Sequence, residues 1–382
     1  MSKFVKLFLA ATLSFVSFSA NADYTFTALG TLGGYLSYAT GINASGQVIG
    51  SSQITTSDSS FHAALWNGSS ATDLGSLGQN ISYANGLNDS GQVVGEAPTT
   101  SGTHAFSYTA NSMQDIGTLG GSTSIAYAID NSGQIVGCST TSSGPCHAFL
   151  YSGGNMQDLG TLGAGASRAT GINNSGQIVG YSNFDLYINQ EHAFIYSAGS
   201  MQDLGTPVGS SSQAWDINDS GQTVGFVLQN GGYNAFLYSG GTMQRLYGNN
   251  GNTTAYGINN AGLVVGTSWS PYGGSSNRPY AILWDTNGTG TDLNTLLDAE
   301  TIAAGWRLDE ATAINDNGSI VGKASNSLLG ITSQAFLLST VAAVPELNTN
   351  VMLLIGLGLF GFIARRCKAQ SKNSTLTMLF II

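Results

Sequence analysis

The sequence predicts an all-β fold: a seven-bladed β-propeller of four-stranded antiparallel blades, its ring closed by the N-terminal strand, followed by a C-terminal transmembrane helix. Three observations predict the ring. One hairpin phrase returns seven times, its period matches a propeller blade, and the strand count is complete only if the first strand joins the last unit.

The phrase comes first. It reads Gly41-Ile-Asn-Ala-Ser-Gly-Gln-Val-Ile-Gly50, then Gly86-Leu-Asn-Asp-Ser-Gly-Gln-Val-Val-Gly95, then Ala128-Ile-Asp-Asn-Ser-Gly-Gln-Ile-Val-Gly137. It recurs at 171–180, 216–225, 257–266 and 313–322. The turn glycines Gly46, Gly91, Gly133, Gly176, Gly221, Gly262 and Gly318 are spaced by 45, 42, 43, 45, 41 and 56 residues. Asn or Asp opens each turn, and Gly takes the left-handed position of a type I turn with a bulge. The following strand is apolar on both faces, so its sheet lies between two others.

Two further strands complete a unit. The third is His62-Ala-Ala-Leu-Trp66 in the first copy, His104-Ala-Phe-Ser-Tyr108 in the second and Gln334-Ala-Phe-Leu-Leu338 in the last. The fourth is marked by an Asp-Leu-Gly segment at Asp73, Asp115, Asp158 and Asp203, looser at Arg245 and Asp292. Four strands of about 5–6 residues with their turns fill one blade period. The seventh unit lacks a fourth strand, and Tyr24–Leu29 supplies it by pairing with Gln334–Leu338. A ring stitched in this way has no exposed radial end. The longest spacing holds an insertion at 293–306, read as a short helix on one rim.

Composition and the two termini place the chain. Only 8% of residues are charged and 52 are glycine, whereas about a quarter of an ordinary domain is charged. Segment 23–344 holds 20 acidic residues against five basic ones, a balance of −15 that disfavours nucleic acid as a partner. Residues 1–22 read as a signal peptide: Lys3 and Lys6, an apolar run, then Ala20-Asn21-Ala22, with cleavage between Ala22 and Asp23 by signal peptidase. The propeller takes 23–341 and a linker 342–350. The apolar run 351–364 is read as the membrane segment, and 365–382 as a basic cytoplasmic tail opening on Arg365-Arg366.

Cys138 and Cys146 flank one hairpin loop and are expected to form a disulfide in an oxidising compartment. The four histidines, His62, His104, His147 and His192, occupy one repeat position, so they are spread around the ring and read as structural. The oxygen-rich turns, Asp285–Asp292 included, lack the spaced acids and closing Glu of a calcium loop. No motif assigns a catalytic residue, a metal or a cofactor. A ligand ring is instead sought before the Ala that recurs in each first strand, where Tyr38, Tyr83, Arg168, Gln213 and Glu310 vary freely near one mouth of the channel.

Two resemblances follow from these residues. The repeat with its His-Ala-Phe strand resembles the HAF-repeat family of exported bacterial proteins across nearly all of 24–340. The phrase from Gly305-Trp306 to Glu310-Ala311 resembles that family's usual final unit. Pro345-Glu346, the apolar run with Gly356-Leu-Gly-Leu-Phe-Gly361 and the arginine pair resemble a PEP-CTERM sorting signal, although Leu347 stands where that family has a second proline. The resemblance implies an exosortase-type partner, processing near Pro345-Glu346, an inner-membrane precursor and release towards an exopolysaccharide matrix. The function expected is a non-enzymatic surface or matrix protein, structural or glycan-binding. A secreted propeller enzyme of lyase or glycosidase type, acting on polysaccharide, is the alternative.

Overall fold

The computed structural model describes residues 24–340 except 58, 164, 185–189, 207–210, 249–251 and 270–277. Asp23–Thr340 is one compact unit. The expected signal peptide, Ala22, Asp23, Pro345, Glu346 and the apolar run 351–364 lie outside the described residues. Among those described, no helix is long and apolar enough to cross a membrane.

The repeated turn sets the hairpins. In the first copy Gly46 has φ +81° and donates to Asn43 O at 3.0 Å. The Asn43 carboxamide oxygen accepts from Gln47 N at 2.9 Å and from the Ser45 hydroxyl at 2.8 Å. This Asx-type capping explains why the turn opens on Asn or Asp. The strands on either side then pair antiparallel, and the described residues form seven four-stranded sheets.

Blade 1 runs outward from the axis as Ser37–Ile42, Val48–Gln53, Phe61–Asn67 and Ser70–Asp73. Its second strand is buried along its whole length, as a sheet packed on both faces requires. Each hydrophobic cluster fills a seam between blades. One takes Val136 and Ala148 from blade 3 with Ala169, Ile178 and Phe194 from blade 4. The seams also carry a buried hydrogen bond. Ser82, Ser124, Ser167, Ser212 and Thr253 each accept at their hydroxyl, at 2.8–2.9 Å, the N–H of an Ala on the previous blade's third strand.

The last seam closes the ring in the same way. Ala335 N donates to Ser37 Oγ at 3.0 Å, and Asn315 Nδ2 donates to Asn43 O at 3.0 Å. Blade 7 consists of Trp306–Ile314, Ile320–Asn326 and Ile331–Thr340, with Tyr24–Ala28 as its outer strand. The pairing runs from Tyr24↔Thr340 to Ala28↔Phe336 and ends with Leu29 N on Ala335 O at 2.8 Å. The insertion forms two short pieces rather than one helix, a 3-10 turn at Leu293–Leu296 and an α-helix at Ala299–Ala303. Asp298 divides them, because its carboxylate caps Thr301 N at 2.7 Å and starts a new helix.

One irregularity recurs in every blade. The first strand skips one residue of its ladder with the second: Thr40, Asn85, Tyr127, Thr170, Trp215, Tyr256 and Thr312. The bulge pushes a carbonyl against the second strand. A Cβ on Gly50, Gly95, Gly137, Gly180, Gly225, Gly266 or Gly322 would lie 1.8–2.0 Å from the carbonyl oxygen of Tyr38 or its equivalent. Only glycine fits there, which accounts for the last residue of the phrase.

Two predictions follow from the closure and from the disulfide. Phe26 packs on Trp306 at 5.2 Å and on Phe336 at 6.4 Å between ring centres. A chain beginning at Thr31 loses these contacts with the closing strand, and thermal denaturation should show a fall of about 5 °C or more, or no cooperative unfolding. An unchanged melting temperature would refute the closure. Cys138 and Cys146 are disulfide-bonded across the hairpin of blade 3. Reducing it should cost about 2–3 kcal/mol for so short a loop, and both thiols should resist alkylation until reductant is added.

Candidate functional site

The bulge decides which side chains reach the axis. A residue inserted out of register is freed from the regular alternation and re-aimed. All seven bulged residues border one axial cavity of about 440 Å³, with Ile42, Leu87, Ile129, Ile172 and Ile314, which also border a smaller cavity at the turn end. Four of the seven stitch neighbouring blades. Thr40, Thr170 and Thr312 donate to Ala84 O, Ala214 O and Ala39 O at 2.8–2.9 Å, and Asn85 Nδ2 donates to Ala126 O at 2.9 Å. The other three are aromatic: Tyr127, Trp215 and Tyr256.

Trp215 and Tyr256 meet nearly edge to face, ring centres 6.0 Å apart at 79°. Tyr181 leans on Trp215 from the other side at 6.4 Å. Among the described residues the Trp215 indole N–H has no hydrogen-bond partner. The next residue, Asp216, borders the same cavity, where the other blades carry Gly41, Gly86, Ala128, Gly171, Gly257 and Ala313. Those positions face the next blade's backbone: a Cβ on Gly171 would sit 3.2 Å from Asp216 Cα, and one on Gly257 3.2 Å from Ala313 Cα. Asp216 is accommodated because its neighbour on blade 6 is Gly257.

Burial pushes the Asp216 carboxyl up to about 6, against the N–H groups of Ile258 at 2.9 Å and Ile217 at 2.8 Å, which favour the ionised form. Among the described residues no basic side chain forms a salt bridge with it. The raised value favours the protonated acid in the fold. Its contribution to stability is therefore fully present below the unfolded carboxyl value of about 4 and is lost as pH rises through about 6.

The two ends of the channel differ. At the turn end a cavity of about 180 Å³ is ringed by the seven Asn or Asp turn residues and their successors. Asn43, Asn88, Asn173, Asn218, Asn259 and Asn315 each donate a side-chain N–H to the carbonyl of the next turn, at 3.0–3.3 Å. Asp130 has no amide to donate and interrupts the circle. Asp219 takes hydrogen bonds from Asn174 N and from the Asn174 and Asn260 amides. These outweigh its desolvation and lower its pKa.

The sequence-derived ligand ring lies at the opposite end, on the residues before the Ala, two positions away from the bulged ring. Tyr38 and Tyr83 flank Phe61, at 5.5 and 6.4 Å between centres, as an aromatic arc across blades 1 and 2. Arg168 sits 5.9 Å over the Tyr181 ring and borders a cavity of about 230 Å³ with Tyr181, Asn183 and Glu191. Gln213 Nε2 donates to Glu191 Oε2. Glu310 hydrogen-bonds Tyr256, and burial raises its pKa against the nearby Lys323 charge. These side chains are half-buried or exposed, and each meets a local partner rather than joining the others in one ring.

The histidines have the structural partners their position suggests, and the partner is the Asp of the Asp-Leu-Gly segment. Nδ1 of His62, His104, His147 and His192 hydrogen-bonds Asp73, Asp115, Asp158 and Asp203 at 2.6–2.8 Å. Each carboxylate also accepts the N–H of the Gly two residues on, at 2.6–2.8 Å. The pairing fastens the outermost strand to the third. Asp285 likewise spends its carboxylate on a turn, accepting from Asn287 N at 3.0 Å and Thr289 N at 2.8 Å. Among the described residues no three His, Cys, Asp or Glu side chains are grouped to hold a metal ion.

Comparison with known proteins bears on the fold. A family described as "Protein of unknown function (DUF3466)" matches residues 204–341, essentially the last three blades. No curated protein matches the chain. The β-propeller domain of the trilobed protease from Pyrococcus furiosus, described as having an open velcro topology, is similar at 8% identity and a TM-score of 0.53. That match covers 79% of this chain and 95% of that one. TolB from Acinetobacter baumannii is similar at 12% identity and a TM-score of 0.46, over 68% of this chain and 63% of its own. The present chain thus spans less than two thirds of that TolB. At 8% identity the likeness to the Pyrococcus domain is one of fold, the β-propeller, which here is closed by hydrogen bonds between its terminal strands.

Proposed function

We propose that this chain is an exported, non-enzymatic propeller that binds a carbohydrate of the extracellular matrix at the mouth opposite the Asn turns. The observation that carries this reading is the pocket at Arg168. A guanidinium over an aromatic ring stands beside a carboxylate and a carboxamide, the mixture of stacking face and fixed polar groups that sugar recognition uses. The arc of Tyr38, Phe61 and Tyr83 adds a second stacking face on the same mouth. The resemblance to HAF-repeat proteins and to PEP-CTERM signals supports export, and the acidic balance of the propeller suits a partner other than an anionic polymer.

Two measurements test the reading. In a glycan-binding screen of the exported protein, Arg168→Ala with Tyr83→Ala should weaken any bound oligosaccharide about tenfold or more, with an unchanged melting temperature. Binding unaffected by the pair would refute the site, and release of reducing sugar in the same assay would replace it with the hydrolase or lyase reading. Intact mass of the exported protein should correspond to a chain from Asp23 to the vicinity of Pro345-Glu346. A species retaining 351–382 in the inner membrane would contradict processing by a sorting enzyme.

A further inference from the structure

The axial cavity carries a feature that the carbohydrate reading does not use. Asp216 borders the axial cavity and turns its carboxylate to the seam with blade 6, at the one repeat position where the other six blades carry Gly or Ala. Its two oxygens meet only backbone N–H groups, and among the described residues no cation pairs with it. A desolvated acid without a counter-charge destabilises a fold, so its place in an otherwise small-residue ring calls for a compensating partner.

The surroundings specify the partner's charge and shape. Trp215 and Tyr256 stand at 79° to each other and form a corner on the same wall, and Tyr127 borders the same cavity. Electron-rich ring faces set at right angles beside an acid are the arrangement that holds an organic cation. Arg168, a basic residue of the mouth, spends its guanidinium on hydrogen bonds to Tyr127 and Tyr181 and forms no salt bridge with Asp216. The cavity, at about 440 Å³, is in the size range of small-molecule sites. The strongly acidic propeller draws cations towards it from a distance.

We propose that the central channel is a binding site for an organic ammonium group, seated against Trp215 and Tyr256 with Asp216 as its counter-ion. The same chemistry is offered by a quaternary ammonium compound and by the free amine of an amino sugar. The site adjoins the rim pocket at Arg168 but its counter-ion and rings, Asp216, Trp215 and Tyr256, do not line that pocket, so it stands whether or not a neutral glycan binds there.

Calorimetric titration of the exported protein tests the site, with choline, glucosamine, N-acetylglucosamine and 3,3-dimethylbutanol, the uncharged analogue of choline, as probes. At pH 7.5 choline or glucosamine should saturate at roughly millimolar concentration or below, and 3,3-dimethylbutanol should not. Which of the two amines binds more tightly identifies the source. Asp216→Asn should weaken the amine about tenfold or more, and Trp215→Ala by a similar factor, while Trp215→Phe retains part of the affinity. Choline keeps its charge at every pH, so its affinity should fall as pH drops through 6 and Asp216 takes up a proton. The strands packed against this one carry Arg168, Tyr181, Glu191, His192, Tyr196 and Tyr256, and Tyr256 hydrogen-bonds Glu310, whose pKa burial also raises; the fall belongs to Asp216 if Asp216→Asn abolishes it. Asp216→Ala, which restores the small residue of the other blades, controls for folding: it should melt higher than the parent at pH 7.5 and lose the amine. Equal binding of 3,3-dimethylbutanol, amine affinity indifferent to the loss of Asp216, or no saturation by either amine at about 10 mM overturns the proposal.

Discussion

Seven carbonyl oxygens pressed into the space that a Cβ would occupy are the constraint on which the rest of the structure depends. The glycine ending each phrase, Gly50 in the first blade and Gly322 in the last, lets the first strand approach the second at the bulge. Without that approach the strand would keep its strict alternation, and Thr40, Trp215 and their equivalents would remain in the ladder. The bulge separates two demands. Ala39 and its equivalents pack the blade, while the residue after them is free of the ladder and can change from Thr to Asn, Tyr or Trp with little effect on the sheet. A ring built to one pattern thereby acquires an irregular channel wall.

The blades are held together by polar contacts as much as by apolar ones. Ser37, Ser82, Ser124, Ser167 and Ser212 are buried almost completely, and each spends its hydroxyl on an N–H of the neighbouring blade. One such bond contributes only about 1 kcal/mol net, but removing the hydroxyl leaves an unpaired buried N–H at a larger cost. The turn asparagines act in the same way at the turn end. The richness in Ser, Asn and Gly, which in the sequence speaks for turns, is therefore also the chemistry of the seams.

Much of this was legible in the sequence. The repeat, the turn and its glycine, the fourth strand borrowed from Tyr24–Ala28 and the Cys138–Cys146 pairing all follow from periodicity and counting, because each depends on local residues or on arithmetic. The channel wall did not follow. Alternation puts Ala39 and Gly41 on one face, but the extra residue Thr40 sets them opposite the adjacent residues Gly50 and Ile49, so faces assigned by alternation fail beyond the bulge. Tyr38, Tyr83, Arg168, Gln213 and Glu310 stand out in the sequence for their variability, yet the channel wall is formed by Thr40, Asn85, Tyr127, Thr170, Trp215, Tyr256 and Thr312, which vary less and stand two residues further on. The readable signal was the glycine closing every phrase, since an unvarying Gly in a strand marks a close backbone approach or a bulge. The His–Asp fastening escaped for another reason. Its two halves were each seen as repeat positions, eleven residues apart, but nothing in one strand shows which side chains of the next lie opposite.

Asp216 shows how such a scaffold admits a functional charge. Around the axis the small positions complement one another, Ala128 against Gly171 and Ala313 against Gly41, so a side chain is tolerated wherever the next blade has none. Asp216 exploits the same allowance opposite Gly257. Its two backbone hydrogen bonds favour the carboxylate, but burial outweighs them and leaves the acid titrating near 6. At neutral pH the group is thus ionised at the expense of the fold, and a ligand cation that binds only the folded ring would recover that energy by mass action. The closed seams carry the expense. The twenty-eight short strands among the described residues, gathered in seven four-stranded blades, lose little when one position on the axis is given over to charge.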